Sequence, residues 1–108
     1  MFDNCAMLAT AWKGQSFSYT NRIRYGPRTG CQNRDKYFEQ WPSVSIDFYD
    51  RTVEVPLLPG FWNRCPELRH EQFGEWFKEL ELLPWRKGHP PQFDLVRIGE
   101  ARFRLSRR

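Results

Sequence analysis

The sequence predicts an α+β domain, a small, mostly antiparallel curved sheet or open barrel of about six strands with one main α-helix packed on it. Three observations carry this expectation. Several short segments alternate apolar and polar residues with period two. Pro66 to Leu83 instead places its large apolar residues on a single helical stripe. Phe93 to Arg108 reads as two strands closing on Gly99-Glu100.

Taken in order, Cys5 to Trp12 (CAMLATAW) is a continuous apolar run that fits a buried strand or a short helix, and the segment behind it, which looks like a partner, favours the strand. Its expected partner is Gln15 to Tyr25. There Phe17, Tyr19, Ile23 and Tyr25 share one face, and Ser18, Thr20, Arg22 and Arg24 the other. Gly26 to Gln40 contains two glycines, one proline and many polar groups, so it reads as a long loop, with Tyr37-Phe38 anchoring its end.

Ser43 to Asp50 and Thr52 to Leu58 form a second hairpin around Asp50-Arg51. Val44, Ile46, Phe48, Val53, Val55 and Leu57 point to its apolar side. Pro56 has no backbone N–H to give, which demotes its strand to a sheet edge or ends its pairing early. In the helix expected over Pro66 to Leu83, Phe73, Trp76, Phe77, Leu80 and Leu83 make the stripe, with Leu68 at its start. Glu71, Glu75, Lys78 and Glu79 take the opposite side, and Pro84 stops the helix. Trp85 to Gln92 is a basic turn. In the final hairpin, glycine at the first central position suits a type II′ turn. That register sets Arg97 opposite Arg102, with Arg104 two residues further along the same face.

A chain of 108 residues is expected to form one domain spanning residues 1–108. Aromatics at 17% offset an apolar content of 40%, because each buries a large area, so folding is favoured over disorder. No run approaches the roughly 18 apolar residues a membrane span needs, and the first residues lack a basic leader, so a cytoplasmic protein without a membrane partner is expected. Cys5, Cys31 and Cys65 include no CxxC pair and read as reduced thiols.

The formal net charge of +4 is unevenly spread. Residues 1–43 carry six basic and three acidic groups, and residues 84–108 carry seven and two. Between them, residues 66–83 carry two basic and five acidic groups. Positive ends around an acidic middle suit a polyanion binder if the ends meet in space. The expected partner is DNA or RNA, met through phosphates, since the planar guanidinium fork takes two phosphate oxygens at once. The candidate contacts are Arg97, Arg102, Arg104 and Arg107 of the hairpin, with Arg108 behind them, and Arg86 and Lys87 of the turn. A second patch comprises Arg22 and Arg24 on their strand and Arg28, Arg34 and Lys36 in the loop.

Two rival readings stand beside this one. The basic, aromatic-rich surface could dock on an acidic protein partner, as a subunit or inhibitor does, or the arginines could pair with Glu71, Glu75 and Glu79. Catalysis has little footing. Cys65 and His70 lie five residues apart across a helix start, a spacing that aims the side chains apart. His89 in the basic turn would serve RNA cleavage only if it lay beside the arginines. No glycine-rich phosphate loop, HExxH or GxSxG pattern is present. No catalytic residue, cofactor or metal ligand is assigned.

Overall fold

Six strands form one curled sheet in the computed structural model, which describes residues 6–14, 25–64 and 66–108. They are β1 (Met7–Lys13), β2 (Tyr25–Arg28), β3 (Ser43–Phe48), β4 (Arg51–Pro56), β5 (Gln92–Gly99) and β6 (Arg102–Arg107). Their order is β2-β1-β5-β6-β3-β4, antiparallel throughout except for the β3–β6 pair, which is parallel. Three helices are seen among the described residues: α1 (Cys31–Tyr37), α2 (Pro59–Asn63) and α3 (Glu71–Glu79). The expected α+β half-barrel is the observed architecture. No helix among the described residues is long and apolar enough to cross a membrane.

The inner face of the sheet is the core. Val44, Ile46, Phe48, Val55, Phe93, Leu95, Phe103 and Leu105 alternate into it and are fully buried. α3 lays Phe73, Trp76 and Phe77 across them, with Phe77 stacked on Phe93 at 5.1 Å and Phe48 tilted against Phe73 at 5.1 Å. At the other end Phe38, just past α1, stacks on Phe103 at 4.5 Å and meets Phe61 of α2 at 5.1 Å. Burying each such ring contributes roughly 1.5–3 kcal/mol, so aromatics supply what the modest apolar content does not.

Several expectations are corrected. The helix is shorter than Pro66 to Leu83. Pro66 to Leu68 runs extended beside β2, where Thr29 N–H donates to the Pro66 carbonyl (3.1 Å) and Leu68 N–H to that of Pro27 (3.0 Å). A proline without an N–H suits a sheet edge as well as a helix start, and Leu68 is fully buried as part of this edge. The helix begins instead behind His70, whose Nδ1 accepts the Gln72 N–H at 3.1 Å as an N-cap. It ends before Glu81, which takes a positive φ of 59°.

The segment read as a loop is largely ordered. Gly26 to Arg28 belongs to β2, and Cys31–Tyr37 forms α1. Gly26 is there for its size: a Cβ would lie 2.3 Å from the Leu68 carbonyl oxygen and 2.9 Å from Trp12 Nε1. Both hairpin turns shift by one residue. Phe48 pairs with Arg51, so Tyr49 and Asp50 make the first turn, with Tyr49 at φ 54°. Gly99 pairs with Arg102, so Glu100 and Ala101 make the second, with Ala101 at φ 51°. Pro56 does lie on an edge strand, β4. The strand expected over Gln15 to Tyr25 falls, Tyr25 apart, outside the described residues, as do Cys5 and Cys65.

Candidate nucleic-acid interface

The last hairpin carries a bulge between Arg97 and Gly99, and the two-residue turn shifts the pairing, so that Arg97 lies opposite Phe103 rather than Arg102. In a strand, one residue of register changes the face. Arg97 therefore extends the inner row of Phe93 and Leu95, while Arg102 and Arg104 stand on the outer face. The arginine row expected on one side of the hairpin is split between two.

Each half finds company. Arg97 lies over the Trp41 ring at 4.9 Å, donates through Nε to the Gly99 carbonyl at 3.1 Å and pairs with Glu39 at 3.1 Å. Arg102 grips Asp47 on neighbouring β3 with its Nε and a terminal nitrogen, at 2.9–3.2 Å. Burial pushes the Asp47 carboxyl up, but the Thr52 hydroxyl (2.7 Å), Arg102 and the charge of Arg104 outweigh this and hold it below its ordinary value. Arg104 is level with Asp47 across the β3–β6 pair and is exposed.

The expected second patch is also occupied. Arg28 pairs with Glu67, whose other oxygen takes Arg69 at 2.7 Å. Arg34 ties α1 to α2 by donating to the Phe61 carbonyl at 3.1 Å, and it pairs with Asp35 at 3.0 Å. Lys36 lies 5.1 Å from the Tyr37 ring. Arg22 and Arg24 are outside the described residues. The anticipated pairing of hairpin arginines with Glu71, Glu75 and Glu79 does not occur among the described residues. Glu79 instead holds Arg51 at 2.9 Å.

What the fold does bring together is the end of β6 and the basic turn before β5. Arg107, Arg108, Gly88, His89, Pro90 and Gln92 line one open cleft of about 450 Å³. The turn is closed by the His89 N–H donating to the Arg86 carbonyl at 2.9 Å, with Gly88 at φ 81°, and it leaves Arg86 and Lys87 exposed beside the cleft. The Arg108 N–H donates to the Gln92 carbonyl at 3.3 Å and fixes the two segments to each other. No carboxylate lines this cleft among the described residues. One of the lining arginines, Arg108, pairs with Asp94 of β5 at 3.0 Å.

His89 therefore lies beside arginines, whereas His70 is spent as a helix cap. Among the described residues no three of histidine, cysteine, aspartate and glutamate gather as metal ligands would. Two tryptophans that could otherwise stack on bases are engaged: Trp12 is buried under Arg69 at 4.9 Å, and Trp85 packs edge-on to Tyr25 at 5.8 Å. The signal that could have located the cleft was present, since seven of the seventeen basic residues fall after Pro84. The counter-ions Glu39 and Asp47 were not foreseeable, because they come from elements whose spatial neighbours the sequence does not specify. Comparison with protein-family models, curated proteins and solved structures yields no match.

Proposed function

We propose that the protein binds nucleic acid through phosphate contacts at the cleft formed by Arg107, Arg108 and the Arg86 to His89 turn. The observation carrying this reading is the convergence of two basic segments on one open concavity without a lining carboxylate among the described residues. Arg104, exposed on the outer face of the same strand, extends the positive surface. Arg97, Arg102, Arg28 and Arg34 act within the fold, holding Glu39, Asp47, Glu67 and the Phe61 carbonyl, and are not the phosphate ligands. Docking on an acidic protein partner has less support. Such an interface draws on exposed aromatic anchors beside arginine, and the described tryptophans are buried or half-buried. The one exposed aromatic among the described residues, Tyr49, stands in a turn where the nearby Arg51 is held by Glu79.

The test is a fluorescence-anisotropy titration of single- and double-stranded DNA and RNA oligonucleotides at about 50 and about 200 mM salt. Binding should weaken steeply with salt. An Arg107→Ala/Arg108→Ala variant and an Arg86→Ala/Lys87→Ala variant should each flatten the salt dependence on duplex DNA, by roughly 0.9 in log–log slope for every phosphate no longer neutralised. Arg97→Ala should leave that slope unchanged. Failure to bind any of the four at low salt overturns the reading.

A further inference from the structure

We propose that the edge of β4, unpaired among the described residues, accepts an extended peptide as an additional strand, the peptide bearing a basic side chain at one end and an apolar one four to six positions away. The pairing geometry defines the open groups. Leu57 donates its N–H to the Pro42 carbonyl at 2.9 Å, so Arg51, Val53 and Val55, in phase with it, turn their backbone groups toward β3. Thr52, Glu54 and Pro56 then turn theirs away from the sheet. Ser45, opposite Glu54, agrees with this phase by sending its N–H the other way, to the Ala101 carbonyl at 2.8 Å. The edge therefore offers donors at Thr52 and Glu54 and acceptors at Thr52, Glu54 and Pro56, and no backbone hydrogen bond among the described residues occupies them. The opposite edge, β2, is covered by Pro66 to Leu68. Among the described residues one edge is closed and the other is open.

The two ends of this edge differ in chemistry. At the Arg51 end lies a cleft lined by Arg51, Gln72, Glu71, Glu75 and Glu79. Arg51 and Glu79 neutralise each other, which leaves Glu71 and Glu75 exposed and facing no other cation of the cleft among the described residues. At the Pro56 end a cleft of about 320 Å³ has Pro56, Leu58 and Phe61 among its walls, together with Arg64, Glu67 and Arg69, and Leu58, which is 54% exposed, supplies the apolar surface. Arg51 to Pro56 spans about 17 Å at strand rise. A strand hydrogen-bonded to Thr52 and Glu54 thus places one end over carboxylates and the other over apolar surface, the charge complement being lysine or arginine. A second copy of this chain fits less well. The sole cation of its β4 is Arg51, already held by Glu79, and Pro56 has no N–H to exchange.

The test uses ¹⁵N-labelled protein titrated with the synthetic hexapeptide KTVSTL, its reverse LTSVTK, and versions of both with glutamate for lysine. One lysine peptide should shift the Thr52 and Glu54 amide signals and slow their hydrogen exchange, with its glutamate version binding about tenfold more weakly. Glu54→Pro removes an outward donor and the carboxylate that accepts the Ser45 hydroxyl, but leaves the backbone bonds between β3 and β4 in place, and should weaken binding about tenfold while the thermal transition is retained. Glu71→Lys/Glu75→Lys, on the exposed flank of α3, should reverse the preference to the glutamate peptides. The proposal is overturned if the Thr52 and Glu54 amides do not move, if Glu54→Pro binds unchanged, or if the charge reversal leaves the preference as it was. Concentration-dependent shifts of the same amides without peptide would assign the edge to a second copy and also overturn it.

Discussion

Arg102, level with Ser45 in the parallel pairing of β6 with β3, reaches diagonally to Asp47 and binds it through two guanidinium nitrogens. The residues are fifty-five positions apart in the chain, and Thr52 completes the arrangement from β4. A side chain that by composition belongs to a nucleic-acid contact thus serves as a clamp between sheet halves.

This clamp carries a pH signature. The folded-state pKa of Asp47 lies below its unfolded value, which is about 3.9. Its contribution is therefore fully present above the unfolded value and is lost as pH falls through the folded one. Asp47→Asn should destabilise by about 1 kcal/mol at neutral pH, and the difference should vanish toward low pH. Urea unfolding of both proteins across the acid range measures this, and a difference that persists at the lowest pH would disprove it.

Gly26 permits the approach of two backbones. Gly26→Ala forces a Cβ against the Leu68 carbonyl, which is backbone and cannot rotate away. The expected loss is about 1–3 kcal/mol, from the displacement of Pro66 to Leu68 off β2. Gly60→Ala, where a Cβ meets nothing within 4 Å, is the control and should unfold close to wild type in the same titration.

Phe77 and Phe93 stack at the centre of the core, both fully buried. Truncating either to alanine should cost about 3–5 kcal/mol. Because the two are in contact, the double variant should cost less than the sum of the singles, with chemical denaturation of all four proteins giving the coupling.

His70 begins α3 through an acceptor nitrogen. His70→Ala should cost about 1 kcal/mol and His70→Asn should recover most of it, since asparagine caps by the same acceptor role. Equal losses in the two variants would show that the imidazole matters for something other than the cap.

The strands and their core residues are legible in the sequence because period-two alternation survives any choice of neighbours. Val44, Ile46, Phe48, Val53 and Val55 can be assigned that way, and so can the edge position of Pro56. Helix ends are not legible, since Pro66, Glu67 and Leu68 satisfy a helix start and a sheet edge equally well and β2 decides between them. Turn register differs by one residue from expectation in both hairpins, because Tyr49 and Ala101 adopt positive φ values that side chains rarely take. In the last hairpin the bulge between Arg97 and Gly99 then moves Arg97 to the other face and dissolves the expected row. The gathering of Arg107 and Arg108 with the Arg86 to His89 turn is half visible as charge density. The concavity between them depends on where β5 begins.

The position of β6 bears on how the sheet assembles. It is the last strand in sequence, yet it lies between β5 and β3, and it alone connects β2-β1-β5 to the β3–β4 hairpin through the sheet ladder. Each hairpin can zip locally, but union of the two halves waits on a meeting of distant chain segments. That step, like the pairing of β1 with β5, carries a larger entropic penalty of closure than either hairpin. Until it is complete, the exposed flank of β3 is an unsaturated template, and any extended segment that reaches it first is a competitor.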